Sequence, residues 1–332
     1  MRQRPHDSDS PAHRAALHGP PLGWVAAFCL IGLMGCGADA TPKDASGAAA
    51  GGDVGQNDAS DATSAALNLA ATYAAQRAAI LADPFIDIAH RGGRKLWPEH
   101  TTIAYDGSVA LGVDMLEFDV HSSADGVIVV MHDATLERTT DGEGPLKAKN
   151  WAELEQLDAA YRFTKDGGKT FPHRGKGARI PRLDVMLDAY PNQWISLEIK
   201  QSQPPILEPV LAILNAKGAL GRVIFSSFAD PTLLAARKKA PQMLTSLALG
   251  ETLAFESLSD VDLATYTPPA PFIQPEDAMV DAAFVARCKQ VGLRIQPWTI
   301  NDPKRMQALI DLGVHGMFTD DPASLRALLG AR

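Results

Sequence analysis

Short apolar runs alternate with amphipathic stretches over most of this chain, and the alternation predicts a series of strands and helices. The strand-like runs lie at 86–89, 115–120, 127–131, 195–199, 223–226, 244–248, 294–298 and 316–319. Helical spacing is found at 102–111, 183–189, 206–217, 231–239, 281–291 and 303–312. Eight apolar strands separated by helices predict an α/β protein built as a TIM (β/α)8 barrel. An open doubly wound sheet is the alternative.

The longest connection in this pattern follows the third apolar run and covers roughly residues 134–194. It contains a short helical pattern at 151–157 and a basic, glycine-rich stretch from Lys165 to Arg179. Loops of this length at the catalytic face of a barrel usually carry a function, although a solvated loop without one is the alternative. We expect a small insertion between strand 3 and helix 3.

The first 64 residues lack the alternation. An arginine-containing start precedes an apolar run at 24–34, which is too short for a stable membrane span and typical of a signal peptide. The run ends in Leu33-Met34-Gly35-Cys36, which resembles a bacterial lipobox, where the chain is cut before a cysteine that becomes lipidated. We therefore predict a lipoprotein signal peptide at 1–35 with lipidation of Cys36. Plain secretion and an uncleaved anchor are the alternatives.

Residues 36–64 are mostly Ala, Gly, Ser, Asp and Thr, which predicts a flexible tether. The barrel domain is assigned to 65–332, and it begins with an alanine-rich helix at 65–82 whose apolar side would hold Leu67, Tyr73 and Ile80. The lipid would place this domain in the cell envelope, anchored to a membrane. By resemblance to lipoprotein sorting in Gram-negative bacteria, Gly37 after the cysteine implies the outer membrane on its periplasmic side. Secretion to the periplasm is the alternative.

The net charge argues against a general nucleic-acid-binding protein, and the cysteine content argues against a protein stabilised by disulfides. The net charge of −8 gives no electrostatic footprint for general nucleic-acid binding. Cys29 would leave with the signal peptide and Cys36 would carry lipid, so Cys288 would be the last thiol. We therefore expect no internal disulfide, and the oligomeric state is left open.

Acidic residues lie at the ends of two of the predicted strands. Glu117 and Asp119 are two residues apart, as are Glu198 and Lys200, so each pair shares one face of its strand. Three carboxylates brought to one barrel mouth repel each other unless a cation lies among them. Oxygen ligands favour Ca²⁺ or Mg²⁺ over Zn²⁺. The alternative is that each acid simply pairs with a nearby Arg or Lys.

Two histidines end neighbouring apolar runs and are suited to proton transfer. His90 and His132 flank the strand that carries the acids, and imidazoles act as general acid and general base near neutral pH. Arg91 can bind a phosphate through two hydrogen bonds, and Lys200 can neutralise its charge. Acid–base chemistry beside a phosphate is therefore the interpretation we favour, and a structural role for each histidine is the alternative.

Ten short motifs, in this order, resemble those of the glycerophosphodiester phosphodiesterases. They are His90-Arg-Gly, Pro98-Glu99-x-Thr101, Glu117-x-Asp119-Val, Asp125-Gly126, His132-Asp133-x-x-Leu136-x-Arg138, Ile180-Pro181-x-Leu183, Glu198-Ile-Lys200, Ser226-Ser-Phe228, Trp298-Thr-Ile-Asn301 and Thr319-Asp320-x-Pro322. The resemblance runs from about residue 85 to the C-terminus, and it implies a TIM barrel with an insertion at 134–181.

The resemblance also implies roles for particular residues. His90 and His132 would be the acid and the base, and Arg91 and Lys200 the phosphate contacts. The metal ligands would be Glu117, Asp119 and Glu198, with Glu99 as an acid near the metal. His100 stands where the family usually has Asn, which puts one metal or substrate contact in doubt; it could equally just precede the helix that Thr101 caps. Trp298 could pack on the glycerol or alcohol part of the substrate, or belong to the barrel core.

The expected reaction is metal-dependent hydrolysis of a glycerophosphodiester to sn-glycerol 3-phosphate and an alcohol. The cofactor would be one divalent cation, Ca²⁺ or Mg²⁺, and the partners would be a small-molecule substrate and, through the anchor, a membrane. A phosphodiesterase for lysophospholipids or other membrane lipids is the first alternative. A catalytically inactive surface-binding lipoprotein is the second.

Overall fold

The computed structural model describes residues 57–330, with side chains from residue 63 onwards. The predicted signal peptide at 1–35, Cys36 and most of the tether at 36–64 lie outside the described residues. Within the described part, no helix combines the length and apolar character needed to cross a membrane.

Within residues 57–330, eight parallel strands form a closed ring. Five of them are β1 (Ile86–Ala89), β2 (Met115–Ser122), β4 (Trp194–Ile199), β5 (Val223–Ser226) and β6 (Leu244–Thr245). The other three are β7 (Phe272–Ile273), β8 (Arg294–Ile295) and β9 (Gly316–Thr319). β1 pairs with both β2 and β9, a bridge from Ser246 to Phe272 joins β6 to β7, and the His315 amide donates to the Ile295 carbonyl between β8 and β9. The predicted TIM barrel is confirmed.

One predicted barrel strand is wrong and one was missed. The run at 127–131 forms β3 (Ile128–Val130), which pairs antiparallel with the end of β2 and lies outside the ring. The eighth strand of the barrel is instead β7, which the sequence pattern missed. It has two residues and lies between two prolines, so it shows little hydrophobic periodicity. The insertion, expected between strand 3 and helix 3, therefore lies between the second barrel strand and its helix.

Helices surround the ring, and several bounds match the prediction. They are α2 (Thr102–Ala110), α3 (Trp151–Leu154), α4 (Leu183–Ala189), α5 (Leu207–Ala216), α6 (Asp230–Lys239), α9 (Ala282–Gln290) and α10 (Pro303–Leu312). The pattern missed α7 (Leu249–Glu256), α8 (Asp260–Leu263) and α11 (Pro322–Leu329). Side chains of Thr101, Asp281 and Asp302 accept hydrogen bonds from the first turns of α2, α9 and α10, as N-caps do.

Helix α1 (Asn57–Ala82) begins earlier than predicted, so the last residues assigned to the tether are helical. Tyr73 and Ile80 are buried as expected, whereas Leu67 is 66% exposed, which corrects that part of its predicted apolar side. Ile80 packs with Ile86, Met115 and other residues that fill the barrel. Arg294 of β8 donates a hydrogen bond to the Leu81 carbonyl, which fixes the end of α1 at the amino ends of the strands.

The 134–181 insertion folds around a small apolar cluster of its own. This cluster includes buried side chains from Leu136, Leu146, Leu154 and Ile180. They pack against Val129 of β3 and against Met131, which directly follows β3. Much of the insertion is therefore packed structure, whereas its stretch at 164–177 is mostly exposed.

Candidate active site

The carboxyl ends of β1, β2 and β4 bring the predicted chemistry together. His90 follows β1 directly, Glu117 and Asp119 lie on β2, and Asp119 stands in register beside Glu198 of β4. A cleft of about 540 Å³ opens at this end of the ring. His90, His132, Glu117, Glu198 and Lys200 line one side of it, here called the charged half. This is the end of a TIM barrel where active sites are found.

Two of the three predicted carboxylates share one cation, and the third accepts a hydrogen bond from a backbone amide. Lys200 Nζ lies 3.2 Å from Asp119 Oδ1 and 2.8 Å from Glu198 Oε2, so the ammonium lies between the two acids. Glu117 Oε2 accepts a hydrogen bond of 2.6 Å from the Arg91 amide. Pairing of acids with basic residues, the alternative stated for the sequence, therefore accounts for part of the arrangement.

The cluster nevertheless retains unmet acceptor capacity. Within the described part of the chain, the buried Glu198 Oε1 accepts no hydrogen bond, and the buried Asp119 Oδ1 has the ion pair with Lys200 but no well-aligned hydrogen bond. Burial, followed by the Asp119 charge, raises the pKa of Glu117 well above its usual value and that of Glu198 to about 7. Buried carboxylates under this much mutual repulsion fit a site for a cation.

His100 brings a nitrogen into the same cluster. Within residues 57–330, ligand atoms of His100, Glu117 and Asp119 all lie within 4.8 Å of one another. His100 Nε2 lies 2.8 Å from Asp119 Oδ2, and the residue is 3% exposed. Thr101 does cap α2, but His100 does more than precede that helix, because its ring reaches the acids. Glu198 stands on the other side of Lys200 and is outside this group of three.

His90 forms a partly buried pair with an aspartate. Its Nδ1 lies 2.6 Å from Asp320 Oδ1, and its Nε2 accepts a hydrogen bond of 3.3 Å from Arg91 Nε. Since a carboxylate can only accept, Nδ1 carries the hydrogen and Nε2 carries the lone pair. Burial lowers the pKa of His90, although Asp320 opposes the shift.

His132 forms a second, more exposed pair on the far side of the acids. Its Nδ1 lies 2.6 Å from Asp133 Oδ1. Arg138 of the insertion binds both Asp133 and Glu99, with contacts of 2.5 to 3.1 Å. Burial by itself would raise the pKa of Glu99. The hydrogen bonds from Arg138 and the charges of Arg91 and Arg138 outweigh burial and lower this pKa to about 2. Glu99 is thus an ionised acid beside the cluster.

Asp320, Asp133 and Arg138 were quoted in motifs but given no role from the sequence. The signal for Asp320 was available, because it directly follows the last barrel strand, as His90 follows the first. Nothing in the sequence pairs Asp320 with His90, since 230 residues separate them.

The two predicted phosphate contacts line the cleft. Arg91, at a positive φ of 52°, directs its guanidinium to Glu99 at 3.2 Å and lies 3.7 Å from Asp119. Lys200 is bound by the two acids described above. Both cations therefore stand beside the histidines with their charge partly neutralised, and an incoming anion would compete with the acids for them.

The other side of the cleft, here called the apolar half, comes from segments that follow β5 to β8. Its members are Phe228, Leu247, Leu249, Leu253, Met279 and Trp298. Phe228, Leu249 and Leu253 are about half exposed. Trp298 donates to the Gln274 carbonyl, meets the Phe228 ring edge-on at 5.7 Å, and also packs against the barrel-filling cluster. Trp298 therefore lines the cleft, where a substrate could contact it, and also packs against the core of the barrel.

Comparison with known proteins agrees with this geometry. The model of the Glycerophosphoryl diester phosphodiesterase family matches residues 90–324. A glycerophosphodiester phosphodiesterase of Bacillus subtilis is 30% identical over 253 residues, which is 72% of this chain and 85% of that protein. One from Caldanaerobacter subterraneus is 32% identical over 243 residues, covering 72% of this chain and 95% of the relative.

Solved structures share the fold. The glycerophosphodiester phosphodiesterase of Agrobacterium tumefaciens superposes with a TM-score of 0.61 at 27% identity, covering 73% of this chain and 99% of that one. A phosphodiesterase of Oleispira antarctica, solved in complex with the product sn-glycerol-3-phosphate, gives 0.63 at 24% identity, covering 74% and 97%. With the matched family model, the relatives and the barrel-mouth site, the chain belongs to the glycerophosphodiester phosphodiesterase family and is a phosphoric diester hydrolase.

Proposed function

We propose that this protein hydrolyses glycerophosphodiesters to sn-glycerol 3-phosphate and an alcohol, and that the reaction requires a divalent cation. The observation that carries the proposal is the pair of His–Asp contacts on either side of a buried carboxylate cluster at the barrel mouth. The product complex of the Oleispira antarctica relative supports the same product here.

The histidines would divide the proton transfers. Asp320 holds the His90 ring with the lone pair on Nε2, where it accepts only a long hydrogen bond of 3.3 Å from Arg91, so His90 is suited to take a proton from the nucleophile once that contact gives way. His132, oriented by Asp133, would then protonate the departing alkoxide. The nucleophile is either water or the neighbouring glycerol hydroxyl, which would pass through a cyclic phosphate.

The remaining residues would bind the phosphate and the cation. Arg91 and Lys200 would contact its non-bridging oxygens as negative charge builds. Glu117, Asp119 and Glu198 would hold the divalent cation, with Glu99 nearby. When bound, such a cation supplies positive charge that stabilises the transition state at those oxygens.

A direct test uses the full chain stripped of metal with a chelator. Release of glycerol 3-phosphate from glycerophosphocholine is assayed before and after a divalent cation is restored. Metal-dependent release that disappears in His90→Ala supports the proposal. Failure to release glycerol 3-phosphate with any cation, together with failure to bind one, would instead favour the inactive binding lipoprotein.

The apolar half of the cleft supports a second candidate, a phosphodiesterase for lysophospholipids or other membrane lipids. Leu249 and Leu253 stand one helical turn apart on α7, and both are about half exposed beside Phe228. Exposed apolar side chains within a catalytic cleft suit an alkyl or acyl chain on the leaving alcohol. Faster turnover of lysophosphatidylcholine than of glycerophosphocholine would establish this candidate.

We further propose that the protein is anchored to a membrane of the cell envelope through lipid on Cys36, with the outer membrane favoured. The support is the sequence Leu33-Met34-Gly35-Cys36 after an apolar run. Radiolabelled palmitate should be incorporated in the native bacterium, and Cys36→Ser should abolish the label. Cys29→Ser is the matched control, and loss of label in that variant alone would contradict the assignment.

A further inference from the structure

We propose that the barrel mouth carries a docking surface for a bilayer that contains anionic lipids, with a basic part and an apolar part. The basic part is residues 162–179 of the insertion, here called the basic segment. The apolar part is the exposed rim of the apolar half of the cleft. Docking of this kind adds a membrane contact to the lipid anchor proposed above, and it does not depend on catalysis.

The basic segment has the opposite charge to the chain as a whole. It contains six Lys and Arg residues and a single acid, Asp166, which gives it a charge of +5 in a chain of net charge −8. Five of the six basic side chains are exposed, namely Arg162, Lys165, Lys169, Lys176 and Arg179. Asp166 accepts hydrogen bonds from the Thr164 and Thr170 hydroxyls and the Lys169 amide, and none of the six cations forms an ion pair within residues 57–330. These charges are therefore available to an anionic partner.

The segment holds its charges on turns that are fixed by specific contacts. The Arg174 guanidinium lies against the Tyr161 and Phe171 rings, 4.0 and 3.7 Å from their centroids, and donates to the Tyr161 carbonyl. The Gly175 amide donates to Oδ2 of Asp158, which is buried in the insertion. Because these contacts fix the backbone, binding of a surface does not have to order it, and less entropy is lost.

The basic segment leaves the barrel beside the active site. Ala159 precedes it and Ile180 follows it, and both line a small cavity together with Glu99 and His132. The Arg162 amide donates to the carbonyl of Thr139, which lines the same cavity. The positive charge therefore lies at the carboxyl ends of the strands, on the insertion's side of the cleft.

Exposed apolar side chains lie on the other side of the cleft. Phe228 after β5, and Leu249 and Leu253 on α7, are 48 to 55% exposed. At a bilayer surface, cationic side chains bind anionic headgroups, and apolar side chains enter the boundary between headgroups and acyl chains. A soluble polyanion such as a nucleic acid would satisfy the charges but would leave the apolar rim in water. The combination of the two parts therefore favours a bilayer.

The proposed anchor can reach a bilayer at this end of the barrel. Twenty residues separate Cys36 from Asn57, where α1 begins, and a fully extended chain of that length spans up to about 66 Å. This exceeds the diameter of a small domain, about 30 Å, so attachment through α1 at the amino ends of the strands does not keep the mouth away from the membrane. Because an anchored domain stays at high local concentration beside the bilayer, weak docking is sufficient.

Hydrogen–deuterium exchange of the full chain tests docking without an assay of turnover. The protein is purified in detergent and mixed with excess nanodiscs of phosphatidylcholine, with or without phosphatidylglycerol. We expect phosphatidylglycerol to slow amide exchange in the basic segment and at 249–253 of α7. Exchange in the last turn of α9, at the opposite end of the barrel, should not change.

The test variant replaces Lys165, Lys169 and Lys176 by Gln. Each removed charge contributes about fivefold to binding of an anionic surface, so docking should weaken about 100-fold and the protection should be lost at both sites. The matched control replaces three other exposed lysines by Gln, and it should retain the protection. These lysines lie in the last turns of α6 and α9, at the opposite end of the barrel, and are Lys238, Lys239 and Lys289.

Equal exchange in the two kinds of nanodisc would overturn the proposed docking, as would protection at only one of the two sites. Heparin, a soluble polyanion, is the second probe, and protection of the basic segment by heparin but not by phosphatidylglycerol would also overturn it. Lipid-dependent protection without hydrolysis of any glycerophosphodiester would instead contradict the proposed function and leave docking standing. Hydrolysis without lipid-dependent protection would do the reverse.

Discussion

The charged half and the apolar half of the cleft are built by different parts of one barrel. The charged half comes from strands β1, β2 and β4 and from His132 after β3, and each of its members is held by at least one hydrogen bond or ion pair. The apolar half comes from the segments after β5 to β8, and three of its side chains are about half exposed. Under the proposed function, the fixed geometry of the charged half would carry the chemistry, and the open apolar half would select the alcohol.

The largest effect should come from removing either histidine of the charged half. We expect His90→Ala and His132→Ala each to lower kcat about 10²- to 10⁴-fold, because each removes one proton transfer. Steady-state kinetics with glycerophosphocholine provide the measurement, and His173→Ala in the insertion is the control. Near-normal kcat values in both variants would contradict the assignment of acid–base chemistry to the charged half.

The next effect concerns the partner that orients His90. Asp320→Asn should lower kcat about 10- to 10³-fold with little change in KM, because Asp320 fixes the ring but does not line the cleft. Asp321→Asn is the matched control, since Asn can also cap α11. A change confined to KM would mean that Asp320 acts on substrate binding.

The apolar half should affect substrate choice more than rate. Replacing Leu249 and Leu253 by Ser should raise KM for lysophosphatidylcholine about tenfold and leave kinetics with glycerophosphocholine nearly unchanged. Val261→Ser is the control, because Val261 is 80% exposed on α8 and does not line the cleft. Equal effects on both substrates would show that these leucines support the fold and do not select the alcohol.

The smallest effect is a pH dependence of stability caused by Glu198. Its pKa is raised from 4.5 to about 7 by burial and then by Asp119. The folded state therefore binds this proton more tightly than the unfolded state, and the stability that this contributes at low pH is lost as the pH rises toward 7. Without metal, the Tm of the wild type should fall by a few degrees relative to Glu198→Gln between pH 5 and 7.

All other titratable groups are common to both proteins, so the difference isolates Glu198. A divalent cation should raise the Tm of the wild type more at pH 7 than at pH 5, since it then binds an ionised carboxylate. A Tm difference between the two proteins that does not vary with pH would contradict the raised pKa.

Much of the barrel could be predicted because its strands are buried on both faces and read as continuous apolar runs. The same rule failed for β3, which is equally apolar but packs against the insertion, and for β7, which has two residues between prolines. Apolar content reports burial, and it does not say whether a strand pairs in parallel within the ring.

The site shows a similar limit. Residues that end neighbouring strands, such as His90 and Glu117, could be grouped from the sequence because parallel strands end together. The partners that tune them could not, because Asp320 and Arg138 arrive from distant segments. His100 was recognised as a departure from the family, but its contact with Asp119 depends on a backbone turn that no periodicity encodes.

The measurement that tests the central claim most directly is ³¹P NMR of the reaction with glycerophosphocholine. The account predicts glycerol 3-phosphate as the phosphorus-containing product, with loss of turnover after metal removal or in His90→Ala. Formation of phosphocholine would mean that the other ester bond is cleaved, so the assigned leaving group would be wrong. An unchanged spectrum with Mn²⁺, Mg²⁺ and Ca²⁺ in turn would contradict the proposed reaction.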